Sequence, residues 1–195
     1  LLGDYKANEV EQIRNEKNPL SVLGEEKAKN LANSKKLQDI DVLYSSHYVR
    51  AMSTAKYIAE KNNILLNVDE RLGERKFGVN SINELPEKFY EDQFQNWNYK
   101  IEKGESINEV STRMYDALME ILNKNKKRRI AIVSHSTAIS ALLSKWCDVK
   151  INEDTKLIEI HFNNNKILDK KWDCPDLFKL EFDDNNNILN IQHIS

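Results

Sequence analysis

The order of apolar runs and helical segments along the chain most narrows the folds open to it. Short apolar runs at 42–44, 64–68 and 130–133 are typical of buried strands. A helix capped by Ser21 is predicted before the first run, and helical periodicity follows that run. Helical segments are also predicted over 83–100 and, after the third run, from Ala138 to Trp146. A longer helix is predicted to begin at Ser106, where Glu109 completes a capping box. This alternation favours a parallel sheet with helices on both faces.

The last 40 or so residues have a different pattern. Alternating segments at 157–162, 177–182 and 188–194 are separated by polar turns rich in asparagine, a combination typical of antiparallel hairpins. We therefore predict an α/β three-layer sandwich. It has a mostly parallel central sheet, helices on both faces and antiparallel hairpins at the C-terminal end. Neither a repeat nor a linker interrupts the chain, so residues 1–195 are predicted to form one domain.

Composition and charge argue against several functional classes. The 195 residues include 29 basic and 31 acidic side chains, whereas nucleic-acid-binding domains are usually strongly basic. No window approaches the ~20 apolar residues of a membrane helix. The first residues do not look like a signal peptide, and two cysteines make neither a disulfide framework nor a zinc site. We expect a cytoplasmic protein without metal, cofactor, membrane or nucleic-acid partner.

Two predicted strand ends carry polar residues suited to binding an anion. Ligands of open α/β sheets bind outside the carboxyl ends of the strands. Arg50 follows one such end, and His135 follows another at the start of a helix, whose free N–H groups attract anions. Taken singly, His135 is explained as a core histidine and Arg50 as a surface ion pair. Together they indicate an anion pocket.

These residues belong to five motifs that occur in order. The motifs are NPLSVLGEEKA at 18–28, SSHYVRAMSTA at 45–55, LGERKFG at 72–78, GES at 104–106 and VSHS at 133–136. In order and spacing, over roughly residues 3–145, the chain resembles the histidine phosphatase superfamily of phosphoglycerate mutase-like enzymes. The match of all five motifs is far more specific than any one of them.

The resemblance implies catalytic roles for three residues. Arg50 matches the arginine that binds phosphoryl oxygens, a task that suits its planar fork of donors. His135 matches the histidine that stabilises the transferring phosphoryl group. Glu74 matches the acid that protonates the leaving oxygen and later takes a proton from water.

It also implies supporting residues of the phosphate pocket. Asn8 matches the asparagine that follows the first family motif, and Arg14 matches a second phosphate-binding arginine. Ser136 replaces the usual glycine after the second histidine, which narrows the floor of the pocket.

The first family motif, RHG-E-x-x-x-N, is altered here. Gly3, Asp4 and Asn8 align with it, so Leu1 stands for the arginine and Leu2 for the nucleophilic histidine. One interpretation is that this sequence is incomplete or altered at its amino end. The other is a pseudo-enzyme that binds phosphate without cleaving it. We favour the first, because the other motifs fit and a sheet without its middle strand would leave backbone groups unpaired.

The predicted function is a phosphomonoester phosphatase that acts on a small phosphorylated substrate through a phosphohistidine. A phosphoglycerate mutase is the nearest alternative, although the short segment 79–103 favours a phosphatase. A non-catalytic phosphate-binding protein is the other alternative. The aromatic residues at 89–99 either form a lid or pack on the core, and His47 is expected to face solvent rather than substrate. Substrate identity and oligomeric state stay open.

Overall fold

A computed structural model describes residues 11–152, 158–168 and 174–194. Outside the described residues lie those that were aligned with the first motif, namely Leu1, Leu2, Gly3, Asp4 and Asn8. The helices are α1 (Glu11–Lys17), α2 (Val22–Ala32), α3 (Val49–Asn62), α4 (Phe89–Gln95), α5 (Ile107–Lys124) and α6 (Ser136–Leu143). The strands are β1 (Val42–Ser45), β2 (Leu66–Val68), β3 (Ile130–Val133), β4 (Asp148–Ile151), β5 (Ile158–Phe162), β6 (Asn165–Leu168), β7 (Phe178–Phe182) and β8 (Ile188–His193).

The parallel sheet places β1 between β2 and β3. Leu43 pairs with Leu66 on one side and with Ala131 on the other. At the carboxyl end, Ser45 pairs with Val133, and the Ser46 N–H continues the ladder by donating to the Val133 carbonyl at 2.9 Å. The two strand ends that carry the predicted anion-binding residues are therefore neighbours.

Helices cover both faces of this sheet, as predicted. Leu43, Ala131 and Val133 pack towards α2 and α3, in a cluster that includes Ala32, Ala55 and Ile58. The alternate residues Tyr44, Ile130 and Ile132 pack towards α5 and α6, in a cluster that includes Val110, Met114 and Ala138. Because successive strand side chains point to opposite faces, one short strand contributes to both layers.

Two helix starts follow the predicted caps closely. The Ser21 side chain accepts the Gly24 N–H at 3.1 Å at the start of α2. Ser106 and Glu109 exchange the two bonds of a capping box at the start of α5. These bonds satisfy N–H groups that lack partners within the helix, so a local sequence pattern suffices to locate both boundaries.

The C-terminal part forms antiparallel sheets in the order β4–β5–β6 and β7–β8. Both predicted hairpins are present, and their inner residues share a core that includes Leu143, Ile160 and Ile191. Strand β4 was not predicted. The helix expected to reach Trp146 ends at Leu143, and the chain then turns into β4. Its four residues are stabilised by pairing with β5, a partner that local sequence does not reveal.

The segment expected to be helical over 83–100 contains one short helix, α4, within a longer connection. Phe89 is fully buried and its ring meets Phe77 at 5.8 Å and Tyr99 at 5.7 Å between centroids. Tyr90, the next residue, is about half exposed. At Phe89 the segment therefore packs against the 72–78 loop. Among the described residues, no helix is both long and apolar enough to cross a membrane.

Candidate active site

His135 lies at the carboxyl end of β3, directly against the end of β1. Its Nε2 is 2.8 Å from the Oγ of Ser46, and this hydroxyl also accepts the Tyr48 N–H at 3.1 Å. His135 is 8% exposed. Burial lowers the pKa of His135 to about 3, and the charges of Arg50, His47 and Arg113 act in the same direction. The imidazole is therefore neutral at physiological pH, fixed through Ser46 and able to offer its other nitrogen to a ligand.

Tyr48 forms the centre of the site, although sequence analysis gave it no role. It is fully buried, and its ring lies 4.6 Å from the His135 ring and 4.7 Å from the Arg50 guanidinium. The Tyr48 hydroxyl accepts a hydrogen bond from Gln12 Nε2 at 2.8 Å. Burial raises its pKa to about 12, so it stays a neutral spacer between the two residues. The feature of the sequence that could have pointed to Tyr48 is its position between Ser46 and Arg50 in one motif.

Arg50 lies in the first turn of α3 and is held in place by α1. Its Nη1 donates to the Asn15 carbonyl at 2.6 Å and to the Asn15 side-chain oxygen at 3.1 Å. Burial lowers the pKa of Arg50, against the opposing charges of Glu74 and Tyr48. The contact with Asn15 orients a half-buried cation whose field reaches both His135 and Glu74.

Glu74 lies across the N-terminus of α6. Its Oε1 accepts the Arg75 N–H at 2.9 Å and the Ala138 N–H at 3.0 Å, while Oε2 accepts the Thr137 N–H at 3.4 Å. The sequence pattern predicted that the N–H groups of this helix start bind an anion. In the structure, two of them bond to Glu74, because a carboxylate is itself the anion that a helix N-terminus stabilises.

The protonation of Glu74 follows from opposing effects. Burial raises its pKa, and the three backbone N–H groups together with Arg50 only partly offset this. A carboxyl group with a raised pKa keeps a proton at higher pH than an exposed glutamate does. This property is the one required of a general acid.

Arg113 and Glu105 hold the loop that carries Glu74, and we call this pair the Arg113 clamp. Nε and Nη2 of Arg113 donate to the two carboxylate oxygens of Glu105 at 2.6 and 2.9 Å. Nη1 donates to the carbonyls of Arg71 and Gly73 at 2.7 and 2.9 Å, and Nη2 also reaches the Glu74 carbonyl at 3.2 Å. Desolvation of Glu105 opposes its ionisation, but bonds from Arg113 and the Lys76 N–H outweigh it and lower its pKa.

Two further contacts fix the same loop. The Ser134 hydroxyl, at the end of β3, donates to the Leu72 carbonyl at 2.7 Å. Gly78 has a φ of +80°, and a Cβ at this position would lie 2.2 Å from the Gly104 nitrogen. Only glycine permits so close an approach of two backbones in this conformation. The second glycine that flanks Glu74 in the sequence thus lets the 72–78 loop lie against the 104–106 turn.

The remaining predicted residues are placed as follows. Arg14 is half-buried on α1, the helix that packs against α3, and Ser136 is the first residue of α6. His47, expected to face solvent, is partly exposed: its side chain is 24% exposed, and its Nε2 lies 3.5 Å from Glu16. Within the described ranges, His, Cys, Asp and Glu form no group that could hold a metal ion.

Comparison with known proteins agrees with this fold. The family model described as "Histidine phosphatase superfamily (branch 1)" matches residues 4–172. The chain belongs to this superfamily.

Two curated relatives differ in the activity that their names give. Phosphoserine phosphatase 1 of Hydrogenobacter thermophilus is 31% identical over 175 residues, covering 80% of this chain and 81% of the relative. A probable phosphoglycerate mutase of Escherichia fergusonii is 30% identical over 152 residues, covering 73% of this chain and 70% of the relative.

Solved structures share the fold at lower identity. A mycobacterial glucosyl-3-phosphoglycerate phosphatase in complex with VO3 matches with a TM-score of 0.59 and 20% identity, covering 70% of this chain and 76% of that one. A phosphoserine phosphatase from Entamoeba histolytica, solved with phosphoserine, matches with a TM-score of 0.57 and 21% identity, covering 78% and 83%. At these identities the match concerns the phosphoglycerate mutase-like fold alone.

Proposed function

We propose that this protein is a phosphomonoester phosphatase of small phosphorylated substrates, with Arg50 and His135 on the phosphoryl group and Glu74 as acid and base. One observation carries the proposal. A buried neutral histidine, a half-buried arginine and a glutamate of raised pKa converge from three elements around Tyr48. Arg14, Asn8 and Ser136 complete the proposed phosphate pocket.

The proposed reaction is a double displacement through a phosphohistidine. An imidazole nitrogen attacks phosphorus, a P–N bond forms, and the P–O bond to the alcohol breaks while Glu74 gives its proton to the leaving oxygen. Water then attacks phosphorus, Glu74 accepts its proton, and the P–N bond breaks to release phosphate. In this proposal the nucleophilic histidine belongs at the position that Leu2 holds in this sequence. Leucine cannot replace it, because its side chain has no lone pair.

Arg50 and His135 stabilise charge on the phosphoryl oxygens. The guanidinium supplies a fixed cation, and its contact with Asn15 orients it before the substrate arrives. The neutral imidazole supplies one N–H donor rather than a second full charge. Preorganised donors of this kind lower the barrier most where water is excluded, as it is around the buried His135.

Phosphate binding by the chain as it stands tests the pocket directly. Isothermal titration with inorganic phosphate is expected to show binding that weakens by about tenfold or more in Arg50→Met, because a charge-assisted bond is lost. Arg71→Met is the matched control, since Arg71 forms exposed ion pairs with Asp69 and Glu120 and is expected to leave phosphate affinity unchanged. Equal affinities in the wild type and Arg50→Met would contradict the proposed pocket.

Hydrolysis is tested in a variant with Leu1→Arg and Leu2→His in which the strand that precedes the first motif in this superfamily is added ahead of residue 1. We expect vanadate-sensitive release of phosphate from p-nitrophenyl phosphate. When Glu74→Gln is added, phosphate release from esters with poorer leaving groups should be lost, because the leaving oxygen is no longer protonated. A folded double variant that binds phosphate but releases none from any phosphomonoester would count against catalysis. That result would favour the non-catalytic phosphate-binding protein, the alternative that Leu2 itself suggests.

A phosphoglycerate mutase is the second candidate, favoured by the relative of that class at 30% identity. The two activities differ in the acceptor of the phosphoryl group, which is water in one case and another hydroxyl in the other. Incubating the same double variant with 3-phosphoglycerate separates them. Phosphate release indicates the phosphatase, and appearance of 2-phosphoglycerate without phosphate release indicates the mutase.

A further inference from the structure

Helix α1 is attached to the site through polar contacts. It has seven residues, and a helix this short is not stable in water on its own. Among residues 12–17 none is buried, and Ile13, the one apolar residue of the helix, is 40% exposed. No apolar face therefore holds α1, and its position depends on the polar contacts that it makes.

Two side chains of α1 form a connected network with the residues just before α3. Gln12 Nε2 donates to Glu16 Oε1 at 2.7 Å and to the Tyr48 hydroxyl at 2.8 Å. The same oxygen of Glu16 lies 3.5 Å from His47 Nε2. Because one carboxylate contacts both Gln12 and His47, the loss of Glu16 would weaken the attachment of α1 at two points.

His47 is packed on its other sides. Its ring lies 4.8 Å from the Tyr48 ring between centroids, and a Cβ at Gly73 would lie 3.1 Å from its Cε1. The histidine thus lies between α1 and the loop that carries Glu74. A packed ring loses less conformational entropy on pairing than an exposed, flexible side chain does, so His47 is a well-placed partner for Glu16.

Asn15 connects this network to Arg50. It precedes Glu16 in α1, and its carbonyl and side-chain oxygens both accept from Arg50 Nη1, at 2.6 and 3.1 Å. If α1 moves away from α3, the guanidinium loses these two acceptors. An arginine that is ordered only when the ligand arrives binds it more weakly than one that is ordered beforehand.

We propose that Glu16 and His47 are positioning residues for Arg50. Their contact holds α1 against the start of α3, so that Asn15 keeps the guanidinium oriented before a phosphoryl group binds. This role rests on the proposed function, in which Arg50 binds the phosphoryl oxygens.

Two substitutions of Glu16 separate the contact from the charge. Glu16→Gln and Glu16→Met both remove one negative charge, but only glutamine keeps an acceptor for His47 and Gln12. Isothermal titration of inorganic phosphate is expected to show about threefold weaker binding in Glu16→Met and a change below about twofold in Glu16→Gln. Loss of an acid near an anion would by itself tighten binding, so the expected weakening has the opposite sign to the effect of charge.

His47 allows the same comparison from the other side of the contact. His47→Gln keeps a donor for Glu16, whereas His47→Met does not. Binding of phosphate is expected to weaken by about threefold in His47→Met and by less than about twofold in His47→Gln. A histidine that acted on phosphate directly as a cation would lose its effect equally in both variants.

Two controls test whether the effect passes through Arg50. Glu60→Gln removes an exposed acid from α3 and is expected to leave phosphate affinity unchanged. In the Arg50→Met background, Glu16→Met is expected to cause no further loss of affinity. Circular dichroism melting establishes that each variant is folded. Equal phosphate affinities in folded Glu16→Met and Glu16→Gln, or a full threefold loss in the Arg50→Met background, would overturn the proposal.

A measurement without ligand separates this inference from the proposed function. The side-chain N–H signals of Arg50 in NMR spectra, assigned by comparison with Arg50→Met, are expected to show slow rotation of the guanidinium in the wild type and in Glu16→Gln, and fast rotation in Glu16→Met. A protein that behaves in this way but binds no phosphate retains the positioning pair and loses the proposed function. A protein whose phosphate affinity depends on Arg50, but whose Arg50 signals are the same in both Glu16 variants, keeps the proposed function and loses the positioning pair.

Discussion

Two arginines, the buried Arg75 and the partly buried Arg113, contact Glu105 and differ in how fully their guanidinium groups are hydrogen-bonded. Every nitrogen of the Arg113 guanidinium has an acceptor, and its bonds join the Glu105 carboxylate to three carbonyls of the Glu74 loop. Arg75 bonds to the Glu105 carbonyl, but its Nη1 has no hydrogen-bond partner among the described residues. A fully bonded guanidinium stabilises the structure around it, whereas one left partly unbonded is available to a ligand.

The largest effect is expected when the Arg113 clamp is broken. Arg113→Met removes five hydrogen bonds and leaves the partly buried Glu105 carboxylate without its cation, which should lower the free energy of unfolding by about 3 kcal/mol. Urea denaturation measures this loss. Arg71→Met, which removes more exposed ion pairs, should cost about 1 kcal/mol or less. If the two variants lose similar amounts, the clamp is not a distinct structural feature.

An effect of intermediate size is expected in how the stability depends on pH, through His135. The charge of Arg113 helps to lower the pKa of this histidine. The folded protein holds this pKa at about 3, below the ordinary histidine value, so the unfolded chain binds more protons in between. Stability is therefore lost as pH falls below about 6.5, by at most about 1.4 kcal/mol per pH unit.

The His135→Gln variant isolates this dependence, since it keeps a polar group near the Ser46 hydroxyl but does not titrate. Relative to their difference at pH 8, the wild type should lose about 2 kcal/mol more than His135→Gln by pH 5. Urea titrations at each pH provide the measurement. Parallel curves for the two proteins would mean that His135 is not held neutral by its surroundings.

A smaller effect is expected for Arg75→Met without ligand. The substitution loses bonds to two carbonyls, but it replaces a desolvated charge with an apolar side chain of similar length, which offsets much of the cost. The free energy of unfolding should fall by about 1 kcal/mol. A loss as large as that of Arg113→Met would show that both arginines stabilise the fold alike. That result would contradict the difference between them.

The smallest effect is expected for Ser140→Ala without ligand. Its hydroxyl is buried and has no partner among the described residues, so its removal relieves a desolvation cost and should stabilise the protein by up to about 0.5 kcal/mol. A matched substitution is Ser111→Ala, whose hydroxyl lies 3.4 Å from that of Ser144 and whose loss should be mildly destabilising. Destabilisation by Ser140→Ala would indicate that the Ser140 hydroxyl does have a hydrogen-bond partner.

Much of the fold could be predicted because its determinants are local. The caps at Ser21 and Ser106 act within one helical turn, and the apolar runs that became β1 and β3 are continuous in sequence. Strand β4 was missed because its stability comes from pairing with β5 rather than from its own four residues. The end of α6 was misplaced for the same reason, since apolar residues beyond Leu143 pack equally well from a turn.

The candidate site could likewise be predicted from the sequence only in part. Sequence alone determined which residues follow the strand ends, namely Arg50 and His135, and identified Glu74 by its motif. Only the tertiary structure decided that Tyr48 lies between Arg50 and His135, that Arg113 holds the Glu74 loop, and that Glu74 bonds to the start of α6. Apart from the contact of Tyr48 with Arg50, these contacts join residues 40 to 87 positions apart, and a short motif encodes neither such a separation nor burial.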